Sequence, residues 1–210
     1  MVTSVAIREE TNLKLNISPL RKIYGSNGSR PVSFITEDEV YQLADQAKAM
    51  RDGERNELLI LTLFQCCLRI SEALQLTPRH KKAVEGIQVL AIIGKGNKPR
   101  LVSCPDKLSY HLGDYAQRAG IQTNDRLFPI TRQRAWQIIR ECASKLGIER
   151  RVYCHLMRHS GAVSRLMKTG NIKSLQMHLG HADNKMTQRY LTTMQMVQSL
   201  EVEGKVQFDR

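Results

Sequence analysis

The sequence predicts a mainly α-helical domain with one small antiparallel β-sheet, an α+β class in which helices dominate. Three observations carry that expectation. Seven stretches place apolar residues at helical spacing, two short β-rich runs flank a single glycine-lysine turn, and no internal repeat or low-complexity tract interrupts them. Residues 1–33 end in GSNGSR ahead of Pro31 and read as an extended arm or linker. Thr36 with Glu39 forms a capping box, opening an amphipathic helix to about residue 50 with Val40, Leu43, Ala44 and Ala47 on one face. From Glu54 the strongly apolar ELLILTLFQCC reads as a buried central helix that runs into LRISEALQL. It stops near Thr77, because a residue before proline avoids helical geometry. GIQVLAIIG and RLVSC form a hairpin around GKGNKP. Helices follow over residues 106–119, 132–146, 154–169, 172–179 and 184–200, with Gly147 as a C-cap.

The bulk numbers narrow the function. A chain of 210 residues holds one full domain, and 32 Lys/Arg against 20 Asp/Glu leave a formal charge of +12, which points to a polyanionic partner. Residues 131–210 carry 14 Lys/Arg against 6 Asp/Glu, so most of the surplus lies in the C-terminal part. The five cysteines are odd in number and lack C-x-x-C spacing, which reads as reduced thiols of a cytoplasmic protein. No signal peptide or membrane span is expected. With 5% aromatic residues there is no single-strand stacking platform, and no phosphate-binding G-x-x-x-x-G-K-[ST] loop occurs. His178 and His181 are spaced i,i+3, but no acidic or cysteine cluster joins them, so no metal is expected.

Chemistry concentrates in a series of cations that closes on a tyrosine: Arg69 in LRISEAL, Lys95 in GKGNKPR, His155 and Arg158 in HLMRHS, His181 in LGH, and Tyr190 in QRYL. Arginine's planar fork donates two parallel hydrogen bonds to a phosphate and stays charged at physiological pH. A tyrosine with its ordinary pKa near 10 is ionised about one part in a thousand at pH 7, about 4 kcal/mol short of full phenolate. A site using it as a nucleophile must therefore help to remove its proton.

In order and spacing, with Tyr190 nine residues after His181, these motifs resemble the tyrosine recombinase family of phage integrase and Xer type, over residues 34 to 195. The resemblance implies the integrase catalytic-domain fold over residues 34–192. It implies an arm or linker over 1–33, and a tail over 193–210, bearing Met194, Met196, Val197 and Leu200, that docks on a neighbouring protomer. It further implies a site-specific DNA recombinase that cuts and rejoins DNA through a 3′-phosphotyrosyl ester, without cofactor or ATP. Tyr190 is then the nucleophile, Arg69, Arg158 and His181 hold the scissile phosphate, and His155 serves as general base or phosphate partner. Lys95 becomes the leaving-group acid, Glu72 orients Arg69, and Lys98, Arg100, Arg132 and Arg134 contact DNA. The partners implied are double-stranded DNA with a specific recombination site and further copies of the chain, a tetramer in synapsis, with room for accessory DNA-bending proteins. A catalytically silent DNA-binding regulator and a type IB topoisomerase are the alternatives. The chain departs from the family pattern at Cys67, where the family has glycine. It also departs in the short stretch ahead of Thr36, where the family carries a DNA-clamping domain, as expected of a minimal recombinase or of a catalytic fragment.

Overall fold

The computed structural model describes residues 33–94, 98–180 and 184–206. Helix α1 (Glu37–Lys48) begins at the expected capping box, with Thr36 Oγ1 accepting from the Glu39 backbone N–H and Glu39 returning a carboxylate to the Thr36 N–H at 2.9 Å. Helix α2 (Gly53–Gln65) lies against it and buries Leu58, Leu59, Ile60, Leu63 and Phe64.

The expected run from α2 into LRISEALQL is broken. Cys67 adopts φ +51°, a left-handed conformation that costs an ordinary residue about 1–2 kcal/mol, at the position where the family pattern has glycine. The chain then restarts as the one-turn helix α3 (Ile70–Ala73), with Arg69 at its N-cap in extended geometry and its backbone N–H donating to Glu72 Oε2 at 2.8 Å. A 3-10 turn (Pro78–His80) leads into the sheet.

The sheet has three antiparallel strands in the order β1 (Lys81–Val84), β2 (Ile87–Ile93), β3 (Pro99–Ser103). The expected hairpin is β2–β3. Strand β1 is an addition, joined to β2 by Glu85 and Gly86 at φ +49° and +80°, the two positive angles of a tight hairpin turn. Helices α4 (Asp106–Arg118), α5 (Arg132–Lys145), α6 (Cys154–Thr169), α7 (Ile172–Leu179) and α8 (Asn184–Glu203) complete the chain. Gly147 sits at φ +65° just past the Leu146 cap of α5, close to its expected place.

Burial divides into two clusters. The larger joins α1, α2, the sheet, α4, α5 and the first turns of α6; the smaller holds Cys67, Ala162, Val163, Leu166, Leu175, Leu179, Tyr190 and Met194. Helix α6 belongs to both. Where it crosses the end of α2, Gly161 allows the contact, since a Cβ there would lie 1.9 Å from the Phe64 carbonyl oxygen. The five cysteines are all buried. Among the described residues, no helix is long and apolar enough to cross a membrane, and no group of His, Cys, Asp and Glu has the makings of a metal site.

Candidate active site

Helix α6 places His155, Arg158 and His159 at i, i+3 and i+4, on one face. Arg158 is 1% exposed and fixed at both ends of its fork. Nη1 donates to the Cys67 carbonyl, so the left-handed turn delivers an acceptor to the guanidinium, and Nη2 donates to the Leu179 carbonyl at 3.0 Å. Burial, and next the charge of Arg69, bring its pKa down to about 10, which leaves the guanidinium charged at neutral pH.

Glu72 binds the cations together. Its carboxylate accepts from Arg69 Nη1 at 2.8 Å and from Arg100 Nη1 and Nη2 at 2.9 and 3.0 Å, and it lies 3.7 Å from Arg158. Burial pushes the carboxyl pKa upward, but the bonds from Arg100 and Arg69 outweigh it and hold the group below its ordinary value. One buried anion thus spaces three guanidiniums.

Tyr190 comes from the second turn of α8. It is 1% exposed, and its hydroxyl lies 2.6 Å from His159 Nδ1. Burial raises the phenol to about 12, against the opposing charge of Arg158. The His159 ring meets His155 edge to face, with centroids 4.3 Å apart. His155 opens to solvent on one side, yet desolvation by the surrounding protein, and after it the charges of Arg158 and Arg69, keep its imidazole below the usual histidine value.

His178 faces inward, its Nε2 3.1 Å from the Cys66 carbonyl, and burial, then Arg165, lower it to about 3, so it is neutral. Gly180 ends α7 at φ +63°, as the LGH motif requires. A Cβ there would come within 2.8 Å of the Arg100 side chain.

The structure therefore brings Arg69, Glu72, His155, Arg158 and Tyr190 into one neighbourhood, while Lys95 and His181 lie outside the described residues. Lys98, Arg132 and Arg134 are exposed. Arg100 is turned inward, its side chain 12% exposed and engaged with Glu72 and the His178 carbonyl. Arg132 lines an open cavity of about 870 Å³ beside the site, together with His155, Trp136, Arg150 and Arg151. His159, which meets the Tyr190 hydroxyl, is not singled out by the sequence motifs. Its signal was the i+4 spacing from His155, which could not reveal a partner 31 residues away.

A fold of this kind, with a cation-lined tyrosine on its last long helix, defines a class, and the sequence comparison agrees. The profile of the phage integrase family matches residues 33–195, so the chain belongs to the phage integrase family. It is 31% identical to the tyrosine recombinase XerD of Pseudomonas putida over 164 residues, 73% of this chain and 54% of that protein. It is 34% identical to the XerD of Proteus mirabilis over 148 residues, 65% of this chain and 47% of that protein. The chain spans about half the length of the curated relatives it matches. Among solved structures, the XerH site-specific recombinase bound to a palindromic difH substrate superposes with a TM-score of 0.70 at 22% identity, over 82% of this chain and 53% of that one. The catalytic domain of bacteriophage HP1 integrase superposes with a TM-score of 0.63 at 23% identity, over 83% of this chain and 95% of that one.

Proposed function

We propose that this chain is a site-specific DNA recombinase, with residues 34–192 as its catalytic domain. It cuts and rejoins a DNA strand through an ester between Tyr190 and the 3′-phosphate. The observation that carries the reading is the convergence of two guanidiniums, Arg69 and Arg158, with a buried phenol beside two imidazoles. Repulsion between a phosphodiester and an incoming phenolate has to be offset, and preorganised guanidiniums do so without reorganising during the reaction. In this reading Arg69 and Arg158 hold the non-bridging oxygens and His181 and His155 assist them. Lys95 protonates the departing 5′-oxygen. The Tyr190–phosphorus bond forms as the phosphorus–O5′ bond breaks, and because the ester conserves the bond energy, a 5′-hydroxyl reseals the strand by the reverse path.

The substrate is double-stranded DNA carrying the chain's own crossover sequence, contacted by the exposed Lys98, Arg132 and Arg134, with binding that weakens steeply as salt rises. Relatives recorded on DNA, such as XerH on difH, support this partner. Residues 193–210 are assigned to docking between protomers, and synapsis to a tetramer. Incubation with nicked duplexes bearing the crossover sequence tests the reading on a denaturing gel. A DNA-linked band from the wild-type chain, absent from Tyr190→Phe, is expected. No band, or one that survives Tyr190→Phe, removes it.

A further inference from the structure

We propose that His159, rather than His155, takes the proton from Tyr190 and is a catalytic residue of strand cleavage; the inference rests on the function proposed above. Its ground is a contact: Nδ1 of His159 lies 2.6 Å from the phenol oxygen, within normal reach for proton transfer along a hydrogen bond. His155 meets the His159 ring edge to face, with centroids 4.3 Å apart, whereas the hydrogen bond to the phenol oxygen is made by His159.

Three circumstances give the contact a job. The phenol is 1% exposed, so bulk water is a poor acceptor for its proton. Burial also holds it far from ionisation at neutral pH. Finally, the charged groups that face the phenol, Arg158 from α6, Arg189 from α8 and Arg69 ahead of α3, favour the phenolate once formed, while the Cys67 thiol of the same cluster is uncharged. They stabilise a product; none of them accepts a proton.

His159 enters neutral with its proton on Nε2. The Tyr190 O–H bond breaks and the proton passes to Nδ1, the phenolate oxygen bonds to phosphorus, and the phosphorus–O5′ bond breaks. The departing 5′-oxygen receives its proton from the acid assigned to Lys95. In resealing, the imidazolium returns its proton to the phenolate as the tyrosyl ester is broken.

Two arms test the proposal. Without DNA, ¹⁵N spectra of the imidazoles are expected to show His159 as the Nε2–H tautomer, with an Nδ1 resonance that moves in Tyr190→Phe. A protonated Nδ1 at neutral pH overturns the assignment. With DNA, three variants are compared in single-turnover capture. His159→Asn sets an amide oxygen near the place of Nδ1, keeping an acceptor for the phenol but no base; His159→Phe keeps the ring volume alone. Both are expected to cleave about 10²–10⁴-fold more slowly at pH 7 and to gain about tenfold per pH unit up to pH 9, as ionisation of the free phenol takes over. On a duplex whose scissile bond carries a 5′-bridging sulfur, which leaves without a proton, the deficit of His159→Asn should persist, whereas that of Lys95→Ala should shrink. If His159→Asn cleaves at the wild-type rate, or if the sulfur leaving group rescues it, the His159 step is wrong. If the wild type itself captures no DNA, the proposed function falls first and the His159 step with it. A wild type that captures DNA beside unimpaired His159→Asn and His159→Phe overturns the His159 step alone.

Discussion

The two buried clusters differ in size and in what they hold. The larger, spread over helices α1 to α6 and the sheet, anchors the segment that presents Arg69 and Glu72 and the base of the helix that presents Arg158. The smaller, made by the second half of α6, α7, α8 and Cys67, holds Tyr190. A phosphate clamp gains from rigidity because its donors must not reorganise, whereas a tyrosine that has to enter and leave an ester gains from a lighter hold. On that contrast we expect the two halves of one site to be fixed with different firmness.

The largest expected effect comes from Glu72→Ala, which strips the anion from between three guanidiniums. Removing one partner of a buried ionic network costs about 3–5 kcal/mol, so urea unfolding should shift by that much, and capture by the folded fraction should fall as Arg69 loses its bearing. A loss below about 1 kcal/mol would mean that the clamp side is no firmer than the tyrosine side.

The comparison sharpens with paired cavities. Leu63→Ala in the larger cluster should cost near the upper end of about 2–5 kcal/mol, and Leu175→Ala in the smaller cluster near the lower end, since a thin cluster collapses more readily around the gap. Denaturant midpoints with unchanged m-values are the measurement, and equal losses would erase the distinction.

The last effect is a slope. His178 joins α7 to the end of α2, and its folded pKa of about 3 lies well below the ordinary 6.5. A depressed folded value means that the unfolded chain binds the extra proton. The contribution of His178 is therefore complete above pH 6.5 and is lost as pH falls towards 3. Glu72, also depressed, adds its loss only below its ordinary 4.5. His178→Gln, which keeps a donor for the Cys66 carbonyl, should flatten the stability curve between pH 6.5 and 4.5 and leave the steeper fall below it.

Much of this was legible in the sequence because helical periodicity and caps are local. The Thr36–Glu39 box and the start of α5, where Thr131 caps the Arg134 N–H, follow from residues within one turn of each other. The break after α2 was not legible, because CCLRISEA is as apolar as the helix before it and carries a cysteine where a left-handed turn would normally advertise glycine. Strand β1 escaped because KKAV faces solvent over three of its four residues and shows no alternation. Within the site, residue types and order pointed to Arg69, His155, Arg158 and Tyr190, but pairings across long separations did not. Arg100 reads as a free surface cation until the fold sets it on Glu72, 28 residues earlier, and His159 as a neighbour of Arg158 until α8 brings Tyr190 to it.

Helix α8 runs unbroken from Asn184 to Glu203, a rod of about 30 Å at the usual rise per residue, with the phenol near one end and Leu200 and Val202 bare at the other. Between them Thr193, Met194, Met196 and Val197 are buried, so the rod is pinned along its middle and only its far end stands clear of the body. One continuous stretch of backbone thus ties the phenol to an unsheltered apolar tip.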